Sequence, residues 1–188
     1  KIIVEDKVNA GEHDNQLLRY LKEVKEKFQD HIVLGVYYKT GFQIDLSAVI
    51  DANYKIISRR RMLELLKPYV EQTANQIVID YFDYWNDFEQ SAQKYQELPL
   101  SQWDWRCVNA FYDALQNSDF PGENQVDIGY GYVSNPNGGF DAMWLWPYPN
   151  GFIVLGVPIE MYVQVEPSWQ DGKDGQKGQY NFSICLKF

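Results

Sequence analysis

The chain changes from a strand pattern to a helix pattern across Gly11, and this change constrains the fold more than any other feature. Residues 2–8 open with three β-branched side chains, which are typical of a strand buried on both faces. After Gly11, apolar side chains recur every three or four positions and predict a helix with one face toward a core. These helical positions are Leu17, Leu21, Val24 and Phe28. A second apolar run at 31–38 predicts a parallel strand, which completes a strand, helix, strand unit.

Four of the polar side chains on these first two elements are spaced so that they form two pairs. Because side chains alternate along a strand, Glu5 and Lys7 point to the same face. Gln16 and Tyr20 are four residues apart and therefore share one face of the helix. A buried carboxylate is costly unless it is paired or holds a metal. If the helix packs back on the strand, all four side chains border one pocket.

The two motifs, Glu5-Asp6-Lys7 on the strand and Gln16-x-x-x-Tyr20 on the helix, resemble those of the PD-(D/E)xK nuclease superfamily. The helix motif is that of one large subset of this superfamily, and the resemblance covers residues 2 to about 60. It implies a restriction-endonuclease-like fold and a metal-dependent nuclease that hydrolyses phosphodiester bonds in DNA. Glu5, Lys7, Gln16 and Tyr20 are the catalytic residues that it implies, the last two in a supporting role.

The resemblance also implies a divalent cation, Mg²⁺ or Mn²⁺. Its ligands would be Glu5, the main-chain carbonyl of Asp6 and an Asp on a preceding strand, which suits a hard cation. Lys7 would act on the attacking water or on the charge that builds on phosphorus. The chain holds no such preceding Asp and does not begin with Met. We therefore expect a fragment, a processed product or one piece of a longer protein, whose active site is incomplete within these residues.

Simpler interpretations of the same residues stay open. Glu5 and Lys7 also suit an ordinary ion pair on an edge strand, which contributes little to stability. Tyr20 alone also suits a half-buried aromatic side chain whose hydroxyl reaches the surface. A chance occurrence of both motifs in an unrelated α/β protein predicts that Gln16 and Tyr20 point away from Glu5 and Lys7.

Charge is distributed unevenly along the chain. The formal net charge is −9, with 12 Lys and Arg against 10 Asp and Glu in residues 1–70 and 5 against 16 in residues 71–188. Phosphate binding calls for basic groups, so the first part is the better candidate for a DNA contact. The candidate phosphate contacts are Arg19, Arg59, Arg60 and Arg61. A solvated helix end explains the run of three arginines equally well.

The acidic second half favours an alternative function. It predicts a catalytically inactive module of the nuclease fold that binds nucleic acid or a protein partner, since a protein-binding surface needs no basic groove. The two cysteines, Cys107 and Cys185, lack metal-ligand spacing, and no apolar run is long enough to span a membrane. We therefore expect a cytoplasmic protein with no membrane segment.

With 188 residues the chain can form one compact domain, 1–188. We expect a nuclease-like core over 1–70, and a helical pair plus an antiparallel β extension over 71–188. The predicted fold is an α/β core with a mixed sheet flanked by helices and C-terminal antiparallel strands. The predicted later elements are a strand at 54–58, helices at 59–69, 73–95 and 102–116, and strands at 128–133, 140–146, 152–157, 160–165 and 180–188. Ser58 and Ser101 are the predicted N-caps of the first and third of these helices.

Overall fold

The computed structural model of the protein describes residues 1–8, 15–42, 45–118, 126–136, 138–147, 151–170 and 179–187. The chain divides into two compact units, Lys1–Gln90 and Ser91–Phe188. This boundary lies later in the chain than the predicted one at 70/71. Whether the chain is a single domain stays a prediction.

The first unit contains a parallel sheet of three strands in the order β1-β2-β3. Its strands are β1 (Ile2–Lys7), β2 (Leu34–Lys39) and β3 (Lys55–Ser58), and its helices are α1 (Gln16–Lys27), α2 (Ser47–Asp51), α3 (Arg59–Val70) and α4 (Gln76–Gln93), the last of which runs past the boundary. The predicted strand, helix, strand unit is confirmed as β1, α1 and β2. A short helix, α2, lies in the segment between β2 and β3 that lacks a strand pattern.

A small core forms on one face of this sheet. It consists of Leu17 from α1, Tyr37 from β2, Val49 and Ala52 from the α2 region, and Tyr54, all at most 5% exposed. The hydroxyl of Tyr54 donates a hydrogen bond of 3.1 Å to the main-chain carbonyl of Leu17. These contacts fix α1 against the face of the sheet that carries Glu5 and Lys7.

Glycine is required at position 35 for this packing. A Cβ atom at Gly35 would lie 2.8 Å from the ring of Tyr54, closer than carbon atoms normally approach. Tyr54 is only 5% exposed, so its ring has little room to move away. The close approach of β2 to Tyr54 therefore depends on the missing side chain.

The prediction that β1 is buried on both faces is wrong. Ile2 and Val4 are 68% and 59% exposed, whereas Lys7 on the opposite face is 8% exposed. Within the residues that the structure describes, β1 lies at the edge of the sheet, and α1 packs on one of its faces. The β-branched residues of β1 thus follow strand propensity rather than two-sided burial.

The cap of α3 agrees with the prediction, because the Ser58 hydroxyl accepts a hydrogen bond from the main-chain amide of Arg61 at 3.2 Å. The predicted cap of the third helix does not. That helix, α5 (Trp105–Gln116), begins after Asp104, whose carboxylate accepts hydrogen bonds from the amides of Arg106 and Cys107. Ser101 instead lies in a short 3-10 turn, Leu100–Gln102.

The second unit contains a four-stranded antiparallel sheet in the order β4-β5-β8-β9 and a separate two-stranded hairpin, β6-β7. The sheet confirms the predicted C-terminal antiparallel strands. The single strand predicted at 152–157 is instead two short strands, because Leu155 and Gly156 adopt positive φ angles and form a turn. The strands are β4 (Asp127–Asn135), β5 (Gly138–Trp146), β6 (Phe152–Val154), β7 (Val157–Ile159), β8 (Tyr162–Gln170) and β9 (Gln179–Lys187).

The α/β fold class is therefore confirmed, with parallel and antiparallel pairing in separate sheets and helices beside them. Cys107 and Cys185 are free thiols. Among the helices in the described part of the chain, none combines the length and the apolar character that crossing a membrane requires.

Candidate active site

The carboxylate of Glu5 and the ammonium group of Lys7 form an ion pair on the covered face of β1. Lys7 Nζ lies 3.0 Å from Glu5 Oε1, and the two side chains are only 10% and 14% exposed. The alternation of the strand puts both side chains on the face against which α1 packs. The pair is thus largely withdrawn from water, unlike the ordinary surface ion pair that the sequence left open.

Gln16 and Tyr20 extend this pair onto α1. Lys7 Nζ donates a hydrogen bond of 3.0 Å to Gln16 Oε1, and Gln16 Nε2 donates one of 3.1 Å to the hydroxyl of Tyr20. Since an ammonium group only donates, the amide of Gln16 must present its oxygen to Lys7 and its nitrogen to Tyr20. The structure therefore brings the four residues predicted from the two motifs into one hydrogen-bonded row, which we call the Glu5–Tyr20 row.

Asp6 points away from this row. Its side chain is exposed on the other face of β1, where Tyr38 is its register partner on β2. Burial raises the pKa of Tyr38, and its hydrogen bond to the hydroxyl of Tyr81 and the nearby charge of Asp6 raise it further. Of the oxygen atoms of Asp6, the main-chain carbonyl is therefore the candidate metal ligand, as predicted from the sequence.

Lys39, the last residue of β2, was not among the site residues predicted from the sequence. Lys39 is the register partner of Lys7 and is 5% exposed. Burial and the positive charge of Lys7 lower the pKa of Lys39. The next residue, Thr40, is 2% exposed and donates its main-chain N–H to the carbonyl of Lys7 at 3.2 Å. A lysine at the end of an apolar strand was the available signal, but its position beside Lys7 depends on the pairing of the strands.

Arg59 and Arg60, two of the predicted phosphate contacts, meet on one carboxylate. Arg59 is 8% exposed, lies 2.8 Å from Glu89 and donates to the main-chain carbonyl of Thr40. Arg60 lies 3.0 Å from the other oxygen of Glu89. Burial alone would raise the pKa of Glu89, but its ion pairs and hydrogen bonds with Arg59 and Arg60 hold it below the usual range. Arg59 thus joins α3 to α4 in the interior of the first unit.

The other two predicted contacts lie apart from this cluster. Arg61 pairs with Glu64 at 2.8 Å, and both side chains are more than half exposed. The guanidinium group of Arg19 lies 5.4 Å from the ring centre of Tyr20, at the end of the Glu5–Tyr20 row. A role of Arg19, Arg59, Arg60 or Arg61 in binding nucleic acid stays a prediction.

The metal-ligating groups at this site supply part of what a hard cation requires. Among the described residues, no group of three or more His, Cys, Asp or Glu side chains is placed to hold a metal ion. Mg²⁺, however, keeps several waters and often takes only one or two carboxylates from the protein. The carboxylate of Glu5 therefore fits as one ligand of such an ion.

Comparison with known proteins identifies a family. A family model described as the PD-(D/E)XK nuclease superfamily matches residues 1–96, slightly more than half of the chain. The matched region includes β1 to β3, α1 to α4 and the whole Glu5–Tyr20 row. Searches of curated proteins and of solved structures each found no match.

Proposed function

Because the chain belongs to the PD-(D/E)XK nuclease superfamily, we propose that it is a metal-dependent nuclease that hydrolyses phosphodiester bonds in DNA. The Glu5–Tyr20 row is the observation that supports this proposal most strongly. In this row, residues from two separate motifs contact one another through three polar contacts of 3.0 to 3.1 Å. A chance occurrence of the motifs gives no reason for the strand pair and the helix pair to meet.

Lys7 is the residue that acts on the reacting phosphate. Its ammonium group has three N–H donors, of which Glu5 and Gln16 take two. The third donates to the attacking water or to an oxygen of the phosphate, where it stabilises the negative charge that develops. The low exposure of Lys7 strengthens this interaction, since water screens it less than at the surface.

Gln16 and Tyr20 are positioning residues in this mechanism. Gln16 holds the ammonium group of Lys7, and Tyr20 holds the amide of Gln16 from the other side. Both are in the first turns of α1, which the buried Leu17 fixes against the sheet. The helix therefore fixes the direction of Lys7 before any substrate binds.

Glu5 and the main-chain carbonyl of Asp6 would hold the cation. When bound, Mg²⁺ or Mn²⁺ supplies a positive charge that polarises the phosphate and makes a bound water more acidic. Glu5 then has two tasks, since its carboxylate also pairs with Lys7. This double use accounts for a carboxylate and an amine on the same covered face of one strand.

The direct test measures cleavage of plasmid and linear DNA in Mg²⁺, in Mn²⁺ and in EDTA. It uses this chain and the product of its complete reading frame, each with Lys7→Met and with Lys55→Met. Lys55 is exposed at the start of β3, so its substitution removes the same charge away from the site. We expect metal-dependent cleavage that Lys7→Met lowers by at least about a hundredfold and Lys55→Met leaves unchanged. Equal cleavage by both variants would contradict the proposal.

A second candidate function is a catalytically inactive module that binds a protein partner. The excess of 11 acidic residues over basic ones in residues 71–188 favours it, because this surface attracts basic proteins and repels DNA. This candidate function predicts that neither form of the protein cleaves or binds DNA, in Mg²⁺ or in Mn²⁺. Metal-dependent cleavage that Lys7→Met lowers and Lys55→Met leaves unchanged would contradict this second candidate function.

A further inference from the structure

A pocket lies between α5 and the antiparallel sheet of the second unit. All of the residues that line it belong to Ser91–Phe188. Its volume is about 250 Å³, and its walls include Trp105 and Val108 from α5, Tyr132 from β4, Asp141 from β5 and Pro167 from β8. Pockets for drug-sized ligands span about 300 to 1,000 Å³, so this one suits a group as small as a single side chain.

Two aromatic side chains of the pocket are open to solvent. Trp105 is 47% exposed and Tyr132 is 63% exposed. The ring of Tyr132 lies against the main chain of Gly139, at a place where a Cβ atom on residue 139 would overlap the ring. The missing side chain therefore lets this ring form a wall of the pocket. Exposed aromatic rings bind cations on their faces, because the face of the ring carries negative charge.

The carboxylate of Asp141 is held in a fixed direction on the pocket wall. Asp141 and Tyr132 are register partners, so their side chains point to the same face of the sheet. Asn109 on α5 is 5% exposed and donates a hydrogen bond of 2.7 Å to Asp141 Oδ2. The same Asn109 nitrogen donates one of 3.0 Å to the main-chain carbonyl of Trp105. A buried amide whose two N–H groups are both used thus orients the carboxylate.

The charge of Asp141 has no ion-pair partner in the part of the chain that the structure describes. The guanidinium group of Arg106 lies 5.5 Å from the ring centre of Trp105, but Arg106 pairs with Asp104 and does not line the pocket. Residues 91–188 contain 5 Lys and Arg against 11 Asp and Glu. An acidic surface of this kind attracts cations and repels the phosphates of nucleic acids.

We propose that this pocket binds an arginine side chain of a basic protein partner. The guanidinium group is planar, so it stacks on aromatic rings such as those of Tyr132 and Trp105. Its N–H groups donate to Asp141, whose oxygens have lone pairs beyond the one that Asn109 uses. The residues involved all belong to the second unit, so this binding does not depend on the proposed cleavage of DNA.

The test uses a blocked pentapeptide, Gly-Gly-Arg-Gly-Gly, and the same peptide with citrulline, which has the shape of arginine without its charge. Each is added to the full chain in EDTA. Nuclear magnetic resonance follows the indole N–H of Trp105 and the main-chain amides of residues 139–141. We expect the arginine peptide to bind at least about tenfold more tightly, which corresponds to one hydrogen bond between charged groups.

Three variants locate the binding. Asp141→Asn keeps an oxygen for Asn109 but removes the charge, and we expect it to weaken binding of the arginine peptide about tenfold. Tyr132→Leu should weaken it about threefold, through the loss of one contact between a cation and a ring. Asp127→Asn is the matched control and should leave binding unchanged, because Asp127 is exposed at the start of β4 and does not line the pocket.

Equal binding of the two peptides, or equal effects of Asp141→Asn and Asp127→Asn, would overturn the proposal. A single-stranded oligonucleotide that shifts the Trp105 signal when the arginine peptide does not would also overturn it, because the pocket would then contact bases. If Asp141→Asn does not fold, the carboxyl carbon signal of Asp141 is followed in the unsubstituted chain. A shift with the arginine peptide but not with the citrulline peptide supports the contact, and an unchanged signal refutes it.

Discussion

Lys7 donates a hydrogen bond of 3.0 Å to the side-chain oxygen of Gln16, and this bond joins the motif strand to the motif helix. The two residues are nine positions apart. Because the bond links β1 to α1, the direction of the Lys7 ammonium group depends on both elements.

Replacing Gln16 by leucine should lower DNA cleavage without unfolding the protein. Lys7 then loses one of the two contacts that fix its ammonium group, and a misplaced catalytic group costs about a hundredfold in rate. The measurement is kcat for cleavage, beside a circular dichroism spectrum. Gln29→Leu is the matched control, since Gln29 is exposed and donates a hydrogen bond to the main-chain carbonyl of Glu26, away from Lys7. Equal kcat for both variants would show that Gln16 does not position Lys7.

Replacing Tyr20 by phenylalanine should have a smaller effect in the same direction. The change removes the hydroxyl that accepts from Gln16 Nε2 but leaves the bond between Gln16 and Lys7. We therefore expect a lower kcat than in the unsubstituted protein and a higher one than in Gln16→Leu. The double variant should lose little more than Gln16→Leu alone, because both residues act through Lys7. Strictly additive losses in free energy would contradict this shared route.

Replacing Glu89 by glutamine should destabilise the first unit in a way that depends on pH. The change leaves Arg59, which is 8% exposed, without its carboxylate, and at pH 7 this costs about 3 kcal/mol. The pKa of Glu89 is lowered in the folded protein, so its stabilising effect is present above the ordinary glutamate pKa of about 4.3 and is lost as pH falls through the folded value.

Urea unfolding between pH 7 and pH 3 tests this prediction for Glu89. The difference in unfolding free energy between the variant and the unsubstituted chain should shrink in acid. Glu64→Gln serves as the control, because Glu64 pairs with Arg61 at the exposed surface, where the loss should be at most about 1 kcal/mol. A difference for Glu89→Gln that is constant with pH would mean that the pair with Arg59 does not form.

Replacing Gly35 by alanine should destabilise the first unit by about 1 to 3 kcal/mol, since the new methyl group meets the ring of Tyr54 at 2.8 Å. The same change in a Tyr54→Leu background should cost less, because the flat ring is gone. A double-mutant cycle by urea unfolding measures the difference. Equal costs in the two backgrounds would place the strain elsewhere in β2.

The four residues of the row could be chosen from the sequence because their spacing is local. Alternation along a strand pairs Glu5 with Lys7, and one helical turn pairs Gln16 with Tyr20. The fold class could also be predicted, because the change from a strand period to a helix period is local in the sequence. The spacing of these residues does not predict that α1 packs back on β1. The structure supplies that contact through the core around Leu17 and Tyr54.

Lys39 and Arg59 could not be placed from the sequence, because their surroundings depend on distant parts of the chain. Lys39 lies beside Lys7 only through the register of β1 and β2. Arg59 belongs to a run of three arginines that suggests a solvated helix end, and its partner Glu89 follows 30 residues later. The exposed face of β1 escaped prediction because β-branched residues fit a strand whether or not its second face is covered.

The position of β1 has a consequence for the order in which function and structure are lost. Among the described strands, β1 has one neighbour, β2, and its contact with α1 is the other support of the row. An edge strand held by a single ladder opens locally at a lower free energy than the sheet unfolds. Amide hydrogens of β1 should therefore exchange faster than those of β2, and mild denaturant should abolish activity while most of the protein keeps its native spectrum.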